Sequence, residues 1–494
     1  MSGADFPSGD APRVTQELEP PEGLLARIAA RCTAWAERWI PDAFVFALAA
    51  TFIVLVAAVA SGARPAAVVK IWGSGFWDLL QFTLQMALII ITGHVVATTR
   101  PMARVIAGLA ALPATPRGAV AMVAFFAMAS SWVNWGFSLV FSAMLAKEVA
   151  RRMARVDYRA VAASSFLGLG SVWAQGLSGS AALQMATPSA LSEATRAIVA
   201  SKDAATGKAV VEGGVIPLSS TIFLWQSVVS VVVEIAIVTL VVYLYAPSAS
   251  RSKTASELGI ELGPSPLDAP DPSPRSASPA ERLEHTRAMN LLFFAVAAGY
   301  LAVYFSEAPS VVQAITLNTI NLALLSLGFL LHGTPARLMR AVREATPAVW
   351  GVLLQFPLYA GIAAVITRTH LNATIAAFFV RISTPRTFPA IVAMYSAVLG
   401  VFVPSGGSKW VIEAPYVMKA SHDLGVHLGW MVAVYDLGEA LANLVQPFWM
   451  LPILGMFGLR ARDVMGYTFV VFLVLVPVVL VLVTVLGATL HYPL

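Results

Sequence analysis

The sequence predicts an all-α polytopic membrane protein, an inverted repeat of transmembrane helices with two re-entrant hairpins and two broken helices. Three observations predict it. Of 494 residues, 58% are hydrophobic and 12% charged, where soluble domains carry about 25% charged residues, so the charges cannot cover a soluble surface. The apolar residues fall in blocks of roughly 20, the length of helix that crosses a ~30 Å hydrocarbon layer. Clusters of Gly, Ser, Asn and Pro interrupt four of these blocks. Irregular backbone at membrane depth is tolerated only where it is buried in protein or lines a cavity.

In chain order, residues 1–22 are rich in Pro, Asp and Glu and contain no apolar run, as expected of a disordered tail. Residues 23–40 alternate Leu24, Leu25, Ile28, Trp35, Trp39 and Ile40 with Arg27, Arg31 and Arg38, the pattern of an amphipathic interfacial helix. Crossings are expected at 42–60 and 79–99. Lys and Arg mark the cytoplasmic side, and the three early arginines place the N-terminus there, as do Arg100, Arg104 and Arg117 after two crossings. Block 118–146 is followed by Lys147, Arg151, Arg152, Arg155 and Arg159. Both its flanks are inside, so it reads as a re-entrant hairpin, turning at Asn134-Trp135-Gly136. Crossings 160–190 and 219–245 lead to the polar linker 247–288, rich in Ser, Pro and charge. Crossings at 289–305, 313–332 and 347–367, a second hairpin at 388–418, and crossings at 429–458 and 466–490 complete the count.

The chain also matches itself at an offset of about 270 residues. Leu84-Gln85-Met86-Ala87-Leu88 aligns with Leu354-Gln355-Phe356-Pro357-Leu358, and Val133-Asn134-Trp135-Gly136 with Val403-Pro404-Ser405-Gly406. Gln175 falls one residue off Gln446. The single crossing between the copies gives the second the opposite polarity, so that Arg337, Arg340 and Arg343 fall inside; Arg368, Arg381 and Arg386 fall outside, against the rule. The division is therefore a tail (1–22), an interfacial helix (23–40), a first membrane repeat (41–246), a cytoplasmic linker (247–288), a connecting helix (289–306) and a second, inverted repeat (307–494). Transporters built this way bind substrate near the midplane at the repeat interface.

The four interruptions mark the candidate site. The first hairpin tip offers Asn134 and Gly136, the first broken helix Gln175, Ser178 and Ser180. The second tip offers Ser405, Gly406, Gly407, Ser408 and Lys409, and the second broken helix Asn443 and Gln446. Glycines let backbone approach a ligand, serines donate hydrogen bonds, Lys409 can neutralise a carboxylate, and half-helix N-termini present free N–H groups to an anion. Acids within apolar blocks are functional by default, so Glu439, Glu413 and Glu234 are candidates for coupling to an ion; Asp436, in the same block as Glu439, could also take up a coupling proton, with Glu439 favoured for its place near Asn443. His94 reads as a packing histidine.

Several classes are excluded or disfavoured. The basic excess, +5 at pH 7, sits in short loops and not on a nucleic-acid surface. No nucleotide-binding glycine motif or CxxC or HExxH metal spacing occurs, so no cofactor is expected beyond a coupling H⁺ or Na⁺. Gly176-Leu177-Ser178-Gly179 has the form of an intramembrane serine hydrolase motif, but His332 and His370 stand at block ends on opposite faces, away from Ser178. A channel would line a continuous pore with polar rings; here the polar residues are confined to four breaks.

Lys70-Ile71-Trp72-Gly73-Ser74-Gly75-Phe76-Trp77, Gln85-Met86-Ala87-Leu88-Ile89-Ile90-Ile91-Thr92-Gly93-His94, Val133-Asn134-Trp135-Gly136-Phe137, Val403-Pro404-Ser405-Gly406-Gly407 and Gln446-Pro447-Phe448-Trp449 resemble, in this order, the short-chain fatty acid transporter family of bacterial inner-membrane permeases. The resemblance implies uptake of acetoacetate, butyrate or a similar small monocarboxylate through the inner membrane, by a secondary transporter coupled to H⁺ or Na⁺. It also implies a wider ion-transporter fold, often dimeric and moving as an elevator, so a homodimer in the lipid bilayer is the expected assembly. A short acid needs one carboxylate cradle and a small apolar pocket, for which Phe137, Trp173, Tyr359, Trp410 and Phe448 are candidate walls. A carrier of another small anion, such as a dicarboxylate or amino acid, is the alternative; it would want a second buried cation beside Lys409.

Overall fold

The computed structural model describes residues 43–201, 210–211, 214–247, 249, 252–263, 278–403, 405–446 and 448–494; the expected tail and interfacial helix, 1–22 and 23–40, lie outside them. Among the described residues every regular element is helical. The first half runs α1 (Ala43–Ala60), α2 (Pro65–Gly75), α3 (Leu80–Ala97), α4 (Arg100–Ala110), α5 (Pro116–Val133), α6 (Trp135–Arg152), α7 (Tyr158–Gly170), a 3₁₀ turn at Trp173–Gln175, and α8 (Ser180–Ala186). Two long helices follow, α9 (Trp225–Tyr245) and α10 (Ala288–Glu307). The second half runs α11 (Leu317–His332), α12 (Pro335–Ala345), α13 (Trp350–Arg368), α14 (Leu371–Ile382), α15 (Phe388–Phe402), α16 (Gly406–Leu424), α17 (Leu428–Ala442), α18 (Leu451–Phe457) and α19 (Ala461–Gly487).

Among the described residues six helices are long and apolar enough to cross a bilayer, seven if α7 and the segment Trp173–Ala186, bent by 41° at their break, count as one span. The protein is a multi-pass membrane protein. Its outward-facing side chains on α1, α9, α10 and α19 are Phe52, Val56, Val232, Leu240, Leu292, Val296 and Val481, all more than half exposed. Lipid covers such a surface; water would not tolerate so broad an apolar patch.

The element order α1–α8 recurs as α11–α18 at the offset read from the sequence. Pro65 opens α2 and Pro335 opens α12; α3 and α13 begin at Leu80 and Trp350, α7 and α17 at Tyr158 and Leu428. The packing repeats with partners exchanged: α1 and α2 lie against α13, and their counterparts α11 and α12 lie against α3. In each half the fifth and sixth helices face one another as arms of a hairpin and both pack on the seventh. Ser138 Oγ donates to the Ala127 carbonyl across the first hairpin (2.7 Å), and the Tyr395 and Tyr416 hydroxyls meet across the second (3.0 Å).

Short helices, α2, α4, α12 and α14 among them, stand where loops or block ends were expected. Thr99 caps α4 through Met102 N, with a proline in its first turn, and α12 opens on Thr334-Pro335. Both turn one face inward, Ala103, Ile106 and Ala110 on α4 and Leu338, Ala341 and Ala345 on α12, and leave Arg100, Arg104, Arg340 and Arg343 exposed. That amphipathic pattern is the mark of a surface helix. Arg368, misplaced by the charge rule, is paired with Asp78 at 2.9 Å, so its side is set by a partner. Part of the expected linker is also fixed. Lys253 N donates to Asp157 Oδ2 (3.0 Å) and Lys253 O accepts from Tyr158 N (2.9 Å). Arg151 donates to the carbonyls of Leu262 and Gly263, which straps 252–263 across the α6–α7 connection.

Candidate functional site

The first hairpin turns because Asn134 ends α5 in extended backbone and caps α6, its Oδ1 accepting from Phe137 N at 2.7 Å. Its Nδ2 is buried without a partner. Trp135 N donates to Ser178 Oγ (2.9 Å) and Leu177 N to the Trp132 carbonyl (2.7 Å), so the first broken helix is stitched to the first tip. Gly176 has to be glycine here: a Cβ would run into the Trp132 backbone. Beside it, Gln175 Nε2 donates to Glu234 Oε1 at 2.9 Å, joining the break to the middle of α9.

The second tip is built differently. Ser405 precedes α16 but does not cap it, and its hydroxyl bonds that of Ser408. The first intrahelical bond is Lys409 N to Ser405 O, so the N–H groups of Gly406, Gly407 and Ser408 stay free of the helix, as at any α-helical start. At the second break Asn443 Nδ2 donates to the Leu169 carbonyl (2.9 Å) and Gln446 Nε2 to Asn443 Oδ1 (2.8 Å). Pro404 and Pro447 lie outside the described residues.

The two tips and two breaks converge on one cavity of about 30 Å³, room for roughly one water. Trp135 lines it from the first tip and Ser405, Gly406 and Gly407 from the second; Trp173 and Ser180 come from the first break, Asn443 and Trp449 from the second. Met86 and Ile90 of α3 and Val352 and Phe356 of α13 supply apolar wall. Among the described residues no charged side chain lines this space. Its polar groups include the start of α16, the Ser180 and Ser405 hydroxyls, the Asn443 amide, and the indoles of Trp135 and Trp173, whose buried N–H groups have no partner.

Of the residues picked from sequence, Ser180, Ser405, Gly406, Gly407 and Asn443 line the cavity; Asn134, Gly136, Gln175, Ser178, Ser408, Lys409 and Gln446 stand behind it. Lys409 is fully buried and committed elsewhere. It is in contact with Glu439, lies 3.4 Å from Glu413, donates to the Ser396 carbonyl at 2.6 Å and sits 4.6 Å from the centre of the Tyr435 ring. Its charge therefore answers two of the protein's own carboxylates. Glu413 also accepts from Ser396 Oγ (2.7 Å). Among the expected walls only Trp173 lines the cavity: Phe137 stacks on Phe141, Tyr359 and Trp410 are buried away from it, and the side chain of Phe448 lies outside the described set. Sequence reasoning passed over Trp135 and Trp449, whose rings meet at 5.5 Å; each sits beside a residue it did single out, Asn134 and Phe448.

Among the described residues no hydrolytic pair forms at Ser178. The Ser178 hydroxyl accepts from the first tip, and His332 Nε2 is bonded to the Val95 carbonyl on α3 (2.8 Å). The relatives of the chain are described as transporters. A family described as "Short chain fatty acid transporter" matches residues 24–486. A protein of Escherichia coli strain K12 described as "Putative short-chain fatty acid transporter" is 36% identical over 446 residues, 90% of this chain and 96% of its own. One of Haemophilus influenzae with the same description is 32% identical over 464 residues, 93% of this chain and 99% of its own. The fold is similar to that of the Alcanivorax borkumensis YdaH transporter, whose structure was described as having an unusual topology (TM-score 0.60, 15% identity, 91% of this chain and 98% of that one). It is also similar to that of Neisseria gonorrhoeae MtrF, described in a class of antimetabolite efflux pumps (TM-score 0.58, 13% identity, 92% and 97%). From the extent of the family match and the identity of these relatives, the chain belongs to the short-chain fatty acid transporter family.

Proposed function

We propose that the protein is a secondary active carrier that moves a short monocarboxylate, such as butyrate or acetoacetate, across the bacterial inner membrane on a gradient of H⁺ or Na⁺. The observation that carries this is the cavity's composition: hydrogen-bond donors and apolar walls, with no charged side chain of either sign among the described residues. A single carboxylate can be held there by N–H and O–H donors and the start of a helix, while a tail of a few carbons meets Met86, Ile90 and Phe356. A dicarboxylate or amino acid would leave a second charge facing apolar wall, which is costly unless paired. Lys409, spent on Glu439 and Glu413, is not that partner.

The repeat with exchanged contacts supports an inverted arrangement, in which the hairpins are re-entrant and the N-terminus is cytoplasmic. The cavity is too small for a four-carbon acid as it stands, so binding requires the tips to part. A carrier needs that freedom to open toward either side in turn.

The test is uptake of labelled butyrate and acetoacetate into sealed proteoliposomes under an imposed H⁺ gradient and, separately, an imposed Na⁺ gradient. Saturable accumulation under one of them, competed by C2–C6 monocarboxylates but not by succinate, is expected. Accumulation of succinate or an amino acid in place of butyrate would transfer the reading to another small anion. No accumulation of any of these would overturn it.

A further inference from the structure

We propose that Asp436 is the proton-binding carboxyl of this carrier and that its protonation couples H⁺ to movement of the acid. The proposal deepens the transport reading given above and rests on it. Asp436 lies mid-way along α17, is 1% exposed, and makes no hydrogen bond or ion pair; its Oδ2 is buried without a partner. An ionised carboxylate left so is strongly unfavourable in a protein interior. Either a proton or a cation must sit on it.

The surroundings decide between the two. Three carboxyls, Glu413, Asp436 and Glu439, share this buried region with one ammonium, that of Lys409. The place where a metal ion would gather oxygens, between Glu413, Glu439 and the Ser396 carbonyl, is filled by Lys409 Nζ. Among the described residues no group of three or more His, Cys, Asp or Glu could hold a metal ion. Lys409 satisfies Glu439 and Glu413, which leaves Asp436 to be neutralised by a proton.

The groups facing this region are few. α16 brings Lys409, Glu413 and Tyr416, α15 brings Tyr395, and α17 itself brings Tyr435 and Glu439. The stretch of α19 that runs along α17 is fixed at one end by Thr468, bonded to Leu444, and at the other by Val483, bonded to Trp430; it contains no titratable side chain. The 3₁₀ turn and α8 contribute none. Arg159 of α7 is remote, because α7 meets α17 through Leu169 and Asn443 at its other end.

Asp436 also has a route to the cavity. Asp436, Glu439 and Asn443, at i, i+3 and i+7, share one face of α17, and Asn443 lines the cavity. Glu439 lies directly behind Gly406, where a Cβ would touch its Cγ, and the Tyr435 hydroxyl donates to the Gly406 carbonyl. An anion seated at the start of α16 thus favours a proton on Asp436, and the proton favours the anion by the same factor. When the cavity opens, the proton passes from Oδ2 to water, the carboxylate re-forms, and no other bond is made or broken.

Asp436→Asn and Asp436→Glu test this with two readouts. The first needs no substrate: the infrared carbonyl stretch of a protonated carboxylic acid, sought in the purified protein at neutral pH. The buried Glu234, bonded only to the Gln175 amide, contributes to it as well, so one component is expected to disappear in D436N while the rest remains; a wild-type band unchanged in D436N, or no band at all, overturns the assignment. The second is transport. D436N is expected to lose accumulation under an H⁺ gradient while butyrate-for-butyrate exchange persists with a flattened pH profile, and D436E is expected to restore accumulation. H⁺-driven accumulation persisting in D436N, or wild-type accumulation driven by Na⁺ alone, overturns the proposal. Intact infrared results beside absent butyrate transport would sink the substrate reading and leave the proton site standing.

Discussion

Replacing Lys409 by methionine removes the one cation from a buried cluster while keeping the length of the side chain. Lys409, Glu413 and Glu439 are each at most 1% exposed, so water cannot take over from the missing ammonium. Breaking a buried ion pair from one side costs about 3–5 kcal/mol, because the remaining charge is left uncompensated. Here two carboxylates and the Ser396 carbonyl lose their common partner, which places the loss at the upper end of that range. Removing the opposite partner is milder. In Glu439→Gln the ammonium keeps Glu413 at 3.4 Å and Ser396 at 2.6 Å, and the loss approaches that of one charged hydrogen bond, about 1.5–3 kcal/mol. The double variant has neither charge and should recover much of what Lys409→Met loses, giving a coupling of about 1–3 kcal/mol in the cycle. Equilibrium unfolding in mixed micelles, followed by tryptophan fluorescence, supplies the four stabilities. Lys409→Met within about 0.5 kcal/mol of wild type, the range of a neutral surface change, would refute the claim that this ammonium holds the cluster together.

Other consequences are checked more simply. Gly406→Ala places a Cβ against the Trp173 ring and the Glu439 side chain; the half-saturation concentration for butyrate should rise at least about tenfold, read from initial uptake rates, since a tenfold change is only about 1.4 kcal/mol. Trp173→Phe keeps the ring but removes an indole N–H without an internal partner. If that N–H donates to the substrate carboxylate, half-saturation rises about ten- to a hundredfold, the worth of a hydrogen bond to a charged group, with little change in melting temperature. Asp157→Ala removes the cap on Ala160 N and the acceptor for Lys253 N. It should lower stability by about 1–2 kcal/mol and open 252–263 to limited proteolysis.

The sequence showed the breaks well, and for a physical reason. Asn134 and the run Ser405–Lys409 are polar or glycine residues inside apolar blocks, where only a turn or a cavity accounts for them. The recurrence of Gln85 at Gln355 carried the offset at which whole helices repeat. Short amphipathic helices were harder to read, because Arg104 and Arg337 served as orientation signals although each sits on a helix with one apolar face. Their starts were there to be read, in Thr99-Arg100-Pro101, where Thr99 caps the helix, and in Thr334-Pro335, where the proline opens it. The fate of Lys409 was only half visible: Glu413 stands at i+4, but its meeting with Ser396 and Glu439 depends on how α15 and α17 pack, which no local pattern encodes. Asp436 was among the acids that could take up a proton, but Glu439 was preferred, because the lack of a partner at Asp436 emerges only when all neighbours are placed. Trp135 and Trp449 were passed over for similar reasons, since convergence of two tips and two breaks on one point is a property of the whole fold.

The claim that this convergence is the substrate site is most directly tested by a crystal structure with a bromine-substituted butyrate, located by anomalous scattering. A bromine peak in the cavity beside Phe356 and Ile90, with the carboxylate turned toward Gly406 and Trp173, is predicted. A peak elsewhere, with the cavity empty at a concentration that saturates uptake, would contradict it.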